Sequence, residues 1–378
     1  CTLVLNEGSY TVEQKKVAEY NGTQYTSLSQ AILNANNSGE KATVKLLDNV
    51  TLTNSLGIGG TAAVTLNLNK KTLTLNGAQI YTQGSAPVTI NSGTIKRTDE
   101  PASGSANNFA IQVMSGSSLM LGTGIGSTYK VTLESTYGIY NVGGTLTVRY
   151  ATINTNGWSI AVSDSASKTG VVYIGRGMGG NTKTVITSES GNVLGTMVNS
   201  KPNVTIDYGT LTSNGTAWDA GVVYWASEGT LTITGNGTVD NISNARAAVK
   251  NNVGGTVTIE NGTFCRSAEA SIDAEHSGGN SYYVIDNQGT MNINGGAFKF
   301  SDTNIGAYSS LIHNGWQEGS KNTAKANAVM IVTNGNFTQG TGGQITVKND
   351  DYGELKIKSG TITVTAEKKG MAANDLVE

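Results

Sequence analysis

The fold is decided by a recurring stretch, seen most clearly as Val257-Thr258-Ile259-Glu260-Asn261-Gly262-Thr263-Phe264. Apolar residues alternate with polar ones, a glycine follows, and another apolar position comes after it. The alternation is typical of a strand with one buried face, and the glycine indicates a sharp bend before a second short strand. Five further copies occupy 88–95, 204–211, 291–298, 330–337 and 355–362.

Successive copies, including weaker ones around 119–124, 146–153, 172–177 and 231–239, are roughly 25–40 residues apart, a period typical of solenoids. One such unit has a single apolar face, which it buries only against its neighbours. The segments between the copies do not show apolar residues at helical spacing, so a helical solenoid is excluded. The sequence therefore predicts an all-β protein, a right-handed parallel β-helix of about ten coils.

A second pattern, an apolar residue, any residue and then asparagine, precedes the main one. It ends at Asn141, Asn199, Asn251, Asn287 and Asn314. An amide side chain both donates and accepts hydrogen bonds, so asparagines stacked at one turn can bond coil to coil. We interpret the row as structural; a ligand-binding row of asparagines is the alternative.

Four coils carry an aromatic residue two positions before an apolar one: Phe109, Tyr137, Trp158 and Tyr283. The first three fall in consecutive coils and are expected to stack in one column. Stacking within the core is the favoured interpretation, and a sugar-binding platform is the alternative.

The N-terminal part reads as a cap on the solenoid. Ser27 and Gln30 match a helix-capping pattern, and apolar residues then follow at helical spacing, namely Leu28, Ala31, Ile32 and Ala35. We expect an N-terminal strand and capping helix in residues 1–43. Residues 44–378 are expected to form the β-helix, which continues beyond this fragment.

Composition excludes two classes of partner. The chain has 25 Lys and Arg against 27 Asp and Glu, a net charge of −2, and so lacks the basic face that nucleic acid requires. Apolar runs are too short to cross a bilayer, so membrane insertion is not expected. The abundance of Thr, Ser, Asn and Gly, with only 2 Cys, suggests a secreted or surface protein.

The entry into the coils resembles a known group. The segment Val17-Ala18-Glu19-Tyr20-Asn21-Gly22-Thr23-Gln24-Tyr25 and its continuation to Ile32, then 45–52 and 66–75, are similar to pectin-lyase-like β-helix domains in cell-surface proteins of Gram-positive gut bacteria. The resemblance implies an extracellular location on a bacterial surface. It also implies an adhesin or binding function, although some relatives of this fold are polysaccharide lyases or hydrolases.

A search for catalytic groups is negative. Asp350-Asp351 is the one adjacent aspartate pair and reads as a solvated turn, and His276 and His313, the only histidines, have no partner at a recognisable spacing. Neither zinc-ligand nor EF-hand spacing is present. We therefore predict a protein that is not an enzyme and has no catalytic residue, metal or cofactor.

Departures from the repeat are the best pointers to a binding site, because insertions in solenoids form surface loops. Two insertions, 266–281 and 315–326, carry charged and aromatic residues, and further exposed aromatic residues are expected about three coils earlier in Trp218-Asp219 and Tyr224-Trp225. The candidate ligand-binding residues are Trp316, His313, Glu318, His276, Tyr283, Trp218, Tyr224 and Trp225.

Three functions follow from these observations. The leading hypothesis is a non-catalytic adhesin, a monomeric fragment of a larger surface protein that engages a host protein, such as an immunoglobulin, or a glycan. The second hypothesis is a polysaccharide lyase or hydrolase. It predicts a cleft formed by Asp273, Glu275, His276, His313 and Glu318. A purely structural stalk is the third.

Overall fold

The structure is a computed structural model that describes residues 2–6, 9–99, 108–124, 126–177, 184–197, 199–215, 221–235, 237–241, 247–266, 283–300, 310–316, 327–338 and 345–363. Its described part is a parallel β-helix, which confirms the predicted all-β solenoid. Each coil contributes one strand to each of three long sheets, and the chain visits sheet 1, sheet 2 and sheet 3 in that order. A separate antiparallel hairpin joins Thr2–Asn6 to Ser9–Glu13.

Sheet 1 has 11 strands, close to the ten coils expected. Its strands are Leu56–Ile58, Ile80–Thr82, Phe109–Val113, Tyr137–Val142, Ile160–Ser163, Leu194–Thr196, Gly221–Trp225, Ala247–Asn251, Tyr283–Asn287, Ser310–Asn314 and Ile345–Asn349.

Sheet 2 has 14 strands, and Ala18–Tyr20 pairs antiparallel with both Thr23–Tyr25 and Ala42–Leu46. Its strands are Ala18–Tyr20, Thr23–Tyr25, Ala42–Leu46, Val64–Asn67, Pro87–Asn91, Ser118–Leu121, Thr145–Val148, Val171–Ile174, Asn203–Ile206, Thr230–Ile233, Thr256–Ile259, Thr290–Ile293, Ala328–Val332 and Gly353–Ile357.

Sheet 3 has 12 strands. They are Val50–Leu52, Thr72–Leu75, Gly93–Arg97, Val131–Ser135, Ala151–Thr155, Val185–Ser188, Thr210–Ser213, Thr238–Asn241, Thr263–Arg266, Ala297–Phe300, Asn336–Thr338 and Thr361–Thr363. A short 3-10 helix, Ser127–Tyr129, lies within one coil, between its sheet 2 strand Ser118–Leu121 and its sheet 3 strand Val131–Ser135.

The recurring stretch is the bend from sheet 2 into sheet 3. In the copy at 257–264, Val257 and Ile259 of sheet 2 and Phe264 of sheet 3 are fully buried. Gly262 between them has a φ of +131°, a backbone conformation that residues with a side chain rarely adopt. The glycine was therefore correctly interpreted as the place where the chain turns to a new face.

The core runs along the axis of the coils and is built from aligned inward residues. Phe264, Phe298 and Phe337 form one column, with ring centroids 5.0 and 4.9 Å apart and nearly parallel planes. Such a column follows from the parallel register, which places the same position of each coil above the last.

The asparagine ladder is confirmed in three of the five predicted positions. Asn251 Nδ2 donates to Asn287 Oδ1 at 2.7 Å, and Asn287 Nδ2 donates to Asn314 Oδ1 at 2.7 Å. Asn314 Nδ2 continues the ladder to Asn349 Oδ1 at 2.8 Å, a member that the sequence pattern missed. Asn141 shares the register but bonds to the main-chain carbonyls of its own turn and the next coil.

Asn199 does not belong to the ladder. Its strand ends at Thr196, and pairing through Val162 places Thr196 at the register of Asn141. Asn199 instead adopts a φ of +64° in the following turn. The pattern was matched three residues too late in this coil.

Helix α1, Leu28–Asn36, covers the first coil as predicted. Its Leu28, Ala31, Ile32 and Ala35 are all buried in the core cluster. The Ser27 hydroxyl accepts a hydrogen bond from the Gln30 amide at 3.4 Å, but the Gln30 side chain bonds to Asn34. The cap is therefore one-sided.

Candidate functional site

One line of outward residues runs across the whole of sheet 1, and strand pairing fixes it without a break. It consists of Gly57, Tyr81, Gln112, Tyr140, Ala161, Gly195, Tyr224, Lys250, Asp286, His313 and Lys348. We call this line the sheet 1 row. It divides into an aromatic half, Gly57 to Tyr224, and a charged half, Lys250 to Lys348.

The outward positions of the other two sheets are mostly threonine. One line of sheet 2 carries Thr65, Thr89, Thr147, Thr205, Thr232 and Thr258, interrupted by Met120, Tyr173, Asn292, Ile331 and Lys356. One line of sheet 3 carries Thr72, Thr94, Thr132, Thr152, Thr210, Thr238 and Thr263, interrupted by Val185, Ala297 and Asn336. Threonine suits a half-buried pleated surface and needs no further explanation. Sheet 1 is therefore the face whose outward residues depart from the ordinary pattern of this fold.

A local irregularity brings further aromatic side chains to the same face. Val284 and Ile285 are consecutive but both lie in the core, and pairing with the next coil skips Val284. Tyr283 and Asp286 therefore both point outward. The same skip occurs at Ala110 and Ile111, which turns Phe109 outward as well.

Aromatic rings in the aromatic half lie against the sheet. Phe109 packs between Tyr137 and Tyr140, with ring centroids 5.5 and 5.4 Å away. A Cβ atom added to Gly195 would lie 2.8 Å from Cζ3 of Trp158, so the indole covers this glycine of the next coil. Core stacking of Phe109, Tyr137 and Trp158 is confirmed only in part: Phe109 is buried and packs against Tyr137, but Tyr137 and Trp158 are partly exposed.

The charged half is a chain of close ionic contacts between neighbouring coils. Lys250 Nζ lies 3.3 Å from Asp286 Oδ2, and Asp286 Oδ1 lies 2.8 Å from His313 Nδ1. On the other side, His313 Nε2 is 3.6 Å from Asp350 Oδ2, too far for a hydrogen bond, and Lys348 Nζ is 3.0 Å from the same oxygen. The Tyr283 ring stacks on the His313 ring at 4.5 Å.

Burial and charge act in opposite directions on these groups. Burial alone would raise the pKa of Asp286, but Lys250 and His313 outweigh it and lower that pKa to about 2. Burial alone would lower the pKa of His313, but Asp286 and Asp350 raise it above its ordinary value. The pKa of Asp350 is lowered by His313 and Lys348 against the effect of burial, and burial raises the pKa of the Tyr283 hydroxyl.

Three of the predicted binding residues lie on this face: Tyr224, Tyr283 and His313. Trp316 follows the strand of His313 directly and is half-buried, with its amide donating to the Asp351 carbonyl at 2.8 Å. Glu318, His276 and Trp218 lie outside the described residues, as do Asp273 and Glu275 of the proposed cleft and most of both insertions.

Trp225 was wrongly expected to be exposed. Its side chain is 0% exposed in the core, and its indole N–H donates to the Gly229 carbonyl at 3.3 Å. Asp350 was also misinterpreted as part of a solvated turn, since its side chain is only 13% exposed within the charged half; Asp351 is exposed as expected.

Sequence reasoning did not single out Lys250, Asp286, Tyr140 or Trp158 as site residues. A signal existed for the first three, because they and His313 are the variable residue between the apolar position and asparagine. Alternation along a strand sends that residue outward when its two neighbours point inward. The variable residue is Tyr, Lys, Asp or His in these four copies, whereas the outward lines of sheets 2 and 3 are mostly threonine.

The described part of the chain has neither a helix long and apolar enough to span a membrane nor a cluster of three or more potential metal ligands among His, Cys, Asp and Glu. In comparisons with known proteins, no family model, no curated protein and no solved structure matches this chain. The surface-protein identity suggested by residues 17–32 therefore stays a prediction.

Proposed function

We propose that this chain is a non-catalytic binding solenoid of a bacterial surface protein, and that its ligand docks on the outer face of sheet 1. The observation that carries the proposal is the sheet 1 row. Three partly exposed tyrosines, Tyr81, Tyr140 and Tyr224, lie in it, whereas the corresponding lines of sheets 2 and 3 are mostly threonine with a single tyrosine, Tyr173.

Aromatic side chains suit such a role for a physical reason. Each offers a large apolar contact area with little rotamer entropy to lose, and tyrosine adds a polar hydroxyl at its tip. In a solenoid these residues are held by strand pairing rather than by loops, so the surface is already ordered before a ligand arrives. A host protein and a glycan both remain candidates for the ligand at this level.

The proposal is tested by screening the chain against a glycan array and a panel of secreted host proteins. Tyr224→Ala should weaken binding of any ligand found by about tenfold or more, because an interfacial tyrosine is a frequent hot spot. Thr232→Ala, an outward position on sheet 2, is the matched control and should bind as the unmodified chain does. Equal loss in both variants, or no ligand in either screen, would reject the proposal.

A polysaccharide lyase or hydrolase is the second candidate, favoured by one observation. Asp286, His313 and Asp350 form a contiguous acid–base group on the same face. Their side chains are 8, 4 and 13% exposed, however, which leaves little room for a substrate. Release of new reducing ends or unsaturated sugars from a bound polysaccharide, lost in His313→Gln, would favour the enzyme instead.

A further inference from the structure

On the outer face of sheet 1, two rings lie over glycines: Tyr81 of the aromatic half and Trp158 beside it. The Tyr81 ring covers Gly57 of the preceding coil, where an added Cβ would meet Cε2 and Cζ at 2.8 Å. The Trp158 indole covers Gly195 of the following coil. A Cβ added to Gly195 would lie 2.8, 3.1 and 3.2 Å from Cζ3, Cε3 and Cη2 of the indole. Each ring thus turns one face to the sheet.

Small residues of the row lie beneath and beside these rings. Ala161 and Gly195 occupy the row between Tyr140 and Tyr224, with Trp158 beside them. Tyr140 and Tyr224 are three coils apart, which corresponds to about 14 Å at the ~4.8 Å spacing of paired strands. The Tyr140 hydroxyl is held at 3.0 Å from the Ser163 hydroxyl, which fixes the ring at one border.

The aromatic half also carries no formal charge along the row. Its seven positions are Gly, Tyr, Gln, Tyr, Ala, Gly and Tyr, and the first charged member is Lys250. An acidic ligand would find no cation in this line to pair with, and a cationic ligand would find no anion. The chemistry present is aromatic faces, a glutamine amide at Gln112 and tyrosine hydroxyls.

We infer that the aromatic half is a stacking platform for a neutral, extended glycan. This inference rests on the proposed function and names its ligand class. The C–H faces of pyranose rings are flat and apolar, while their hydroxyl edges form hydrogen bonds, which matches flat rings bordered by Gln112 and tyrosine hydroxyls. The coil spacing is close to the length of one sugar residue, so successive coils meet successive sugars.

A protein ligand fits this platform less well. Protein hot spots pair with anchors that fill pockets, and the platform offers flat rings over glycine instead of a deep pocket. Binding of a neutral glycan does not depend on attraction between charges, which salt screens. The affinity should therefore change little between low and high salt.

The test is isothermal titration with cellohexaose, xylohexaose and laminarihexaose, and with hexagalacturonate as the charged counterpart. We expect at least one neutral hexasaccharide to bind and hexagalacturonate not to bind. Trp158→Ala should weaken that binding by about tenfold or more, and Trp158→Phe by only a few-fold, because a flat ring is retained.

Two further variants separate ring position from ring chemistry. Gly195→Ala keeps Trp158 but places a methyl group where the indole lies, so binding should fall although the indole is still present. Tyr173→Ala removes an aromatic side chain of similar exposure from the outer face of sheet 2, where it packs against Arg176 at 3.9 Å, and should leave binding unchanged.

Failure of this inference can be told apart from failure of the proposed function. If a protein ligand binds and Tyr224→Ala abolishes that binding, sheet 1 is the docking face but the glycan platform is wrong. Salt-sensitive binding of hexagalacturonate, binding of a neutral glycan that survives Trp158→Ala and Gly195→Ala, or no binding of any neutral hexasaccharide would each overturn the inference.

Discussion

At the scale of single residues, His313 shows how the coil stack assembles a charged group from distant parts of the sequence. Asp286 lies one coil before it and Asp350 follows the strand one coil after it, so the histidine is held between two carboxylates. Lys250 and Lys348 extend the alternation of charge on either side. Every one of these contacts except that of Lys348 with Asp350 crosses a boundary between coils.

We therefore expect stability to depend on pH through His313. Its pKa is raised in the folded chain, so its contribution is fully present below the ordinary value of about 6.5 and is lost as pH rises through the folded value. The free energy of unfolding should fall over that range by about 1.4 kcal/mol for each unit by which the pKa is raised. Denaturant titrations across this range measure it.

Variants of the two histidines of the chain test this pH effect. His313→Gln should remove the dependence, whereas His276→Gln should keep it. On the acid side the sign is reversed for Asp286: its lowered pKa contributes stability above about pH 3.9 that is lost toward about pH 2. An unchanged slope in His313→Gln would contradict the assignment.

Trp225 and its neighbour Tyr224 provide a second test at this scale. Trp225→Ala opens a cavity in the core and should cost about 3–5 kcal/mol of unfolding free energy. Tyr224→Ala, on the half-exposed outer face, should cost about 1 kcal/mol or less. Thermal and urea unfolding of both variants measure these costs. A larger loss of stability in Tyr224→Ala than in Trp225→Ala would contradict the structure.

The sequence predicted the inward residues well because alternation depends only on neighbours along the chain. It misplaced Trp225, although the register places this residue opposite Asn251, an inward position. Aromatic character was taken as a sign of exposure where strand parity should have decided. The charged half was missed although Lys250, Asp286 and His313 each precede a predicted ladder asparagine, which places them in one outward line. The distances between their side chains required the structure.

At the scale of elements, the asparagine ladder joins turns of consecutive coils. None of Asn251, Asn287, Asn314 and Asn349 has a positive φ, so the amide side chain and not the backbone conformation explains the residue type. The sequence predicted the ladder because its pattern is local. It misplaced Asn199 because a turn of different length shifts the strand end, and turn length does not follow from the pattern.

Asn287→Ala should be more damaging than Asn141→Ala. Asn287 bonds to Asn251 and Asn314 in addition to main-chain groups, whereas Asn141 bonds to main-chain groups of Gly144 and Val171. Each buried polar group left without a partner costs about 1–3 kcal/mol. Hydrogen exchange should accelerate in the coils on both sides for Asn287→Ala; an effect confined to one coil would contradict the ladder.

At the scale of the whole molecule, the described coils form a quasi-one-dimensional stack in which each coil contacts its neighbours. The fold class was predictable because the repeat carries it. The choice of sheet 1 as the functional face was not, because it depends on comparing outward residues of three sheets after their registers are known. No coil precedes the first one in the described part of the chain, and helix α1 covers that end of the core.

Ile32→Asp tests the importance of that cover. A charge placed among Leu28, Ala31 and the first coil has no partner and should cost roughly 3 kcal/mol or more. Hydrogen exchange should rise in the strands Ala42–Leu46 and Val64–Asn67 and fade along the stack. Leu33→Asp, on the exposed side of α1, is the control and should have little effect.

The unbroken strand register of sheet 1 has a consequence for how such a chain can change in evolution. Its aromatic and charged halves are separated by a whole number of coils, so the sheet works as a ruler graduated in steps of ~4.8 Å. Gain or loss of one complete repeat slides the two halves by one graduation and leaves each intact. Gain or loss of a single residue inside a strand instead turns the inward side chains that follow it out.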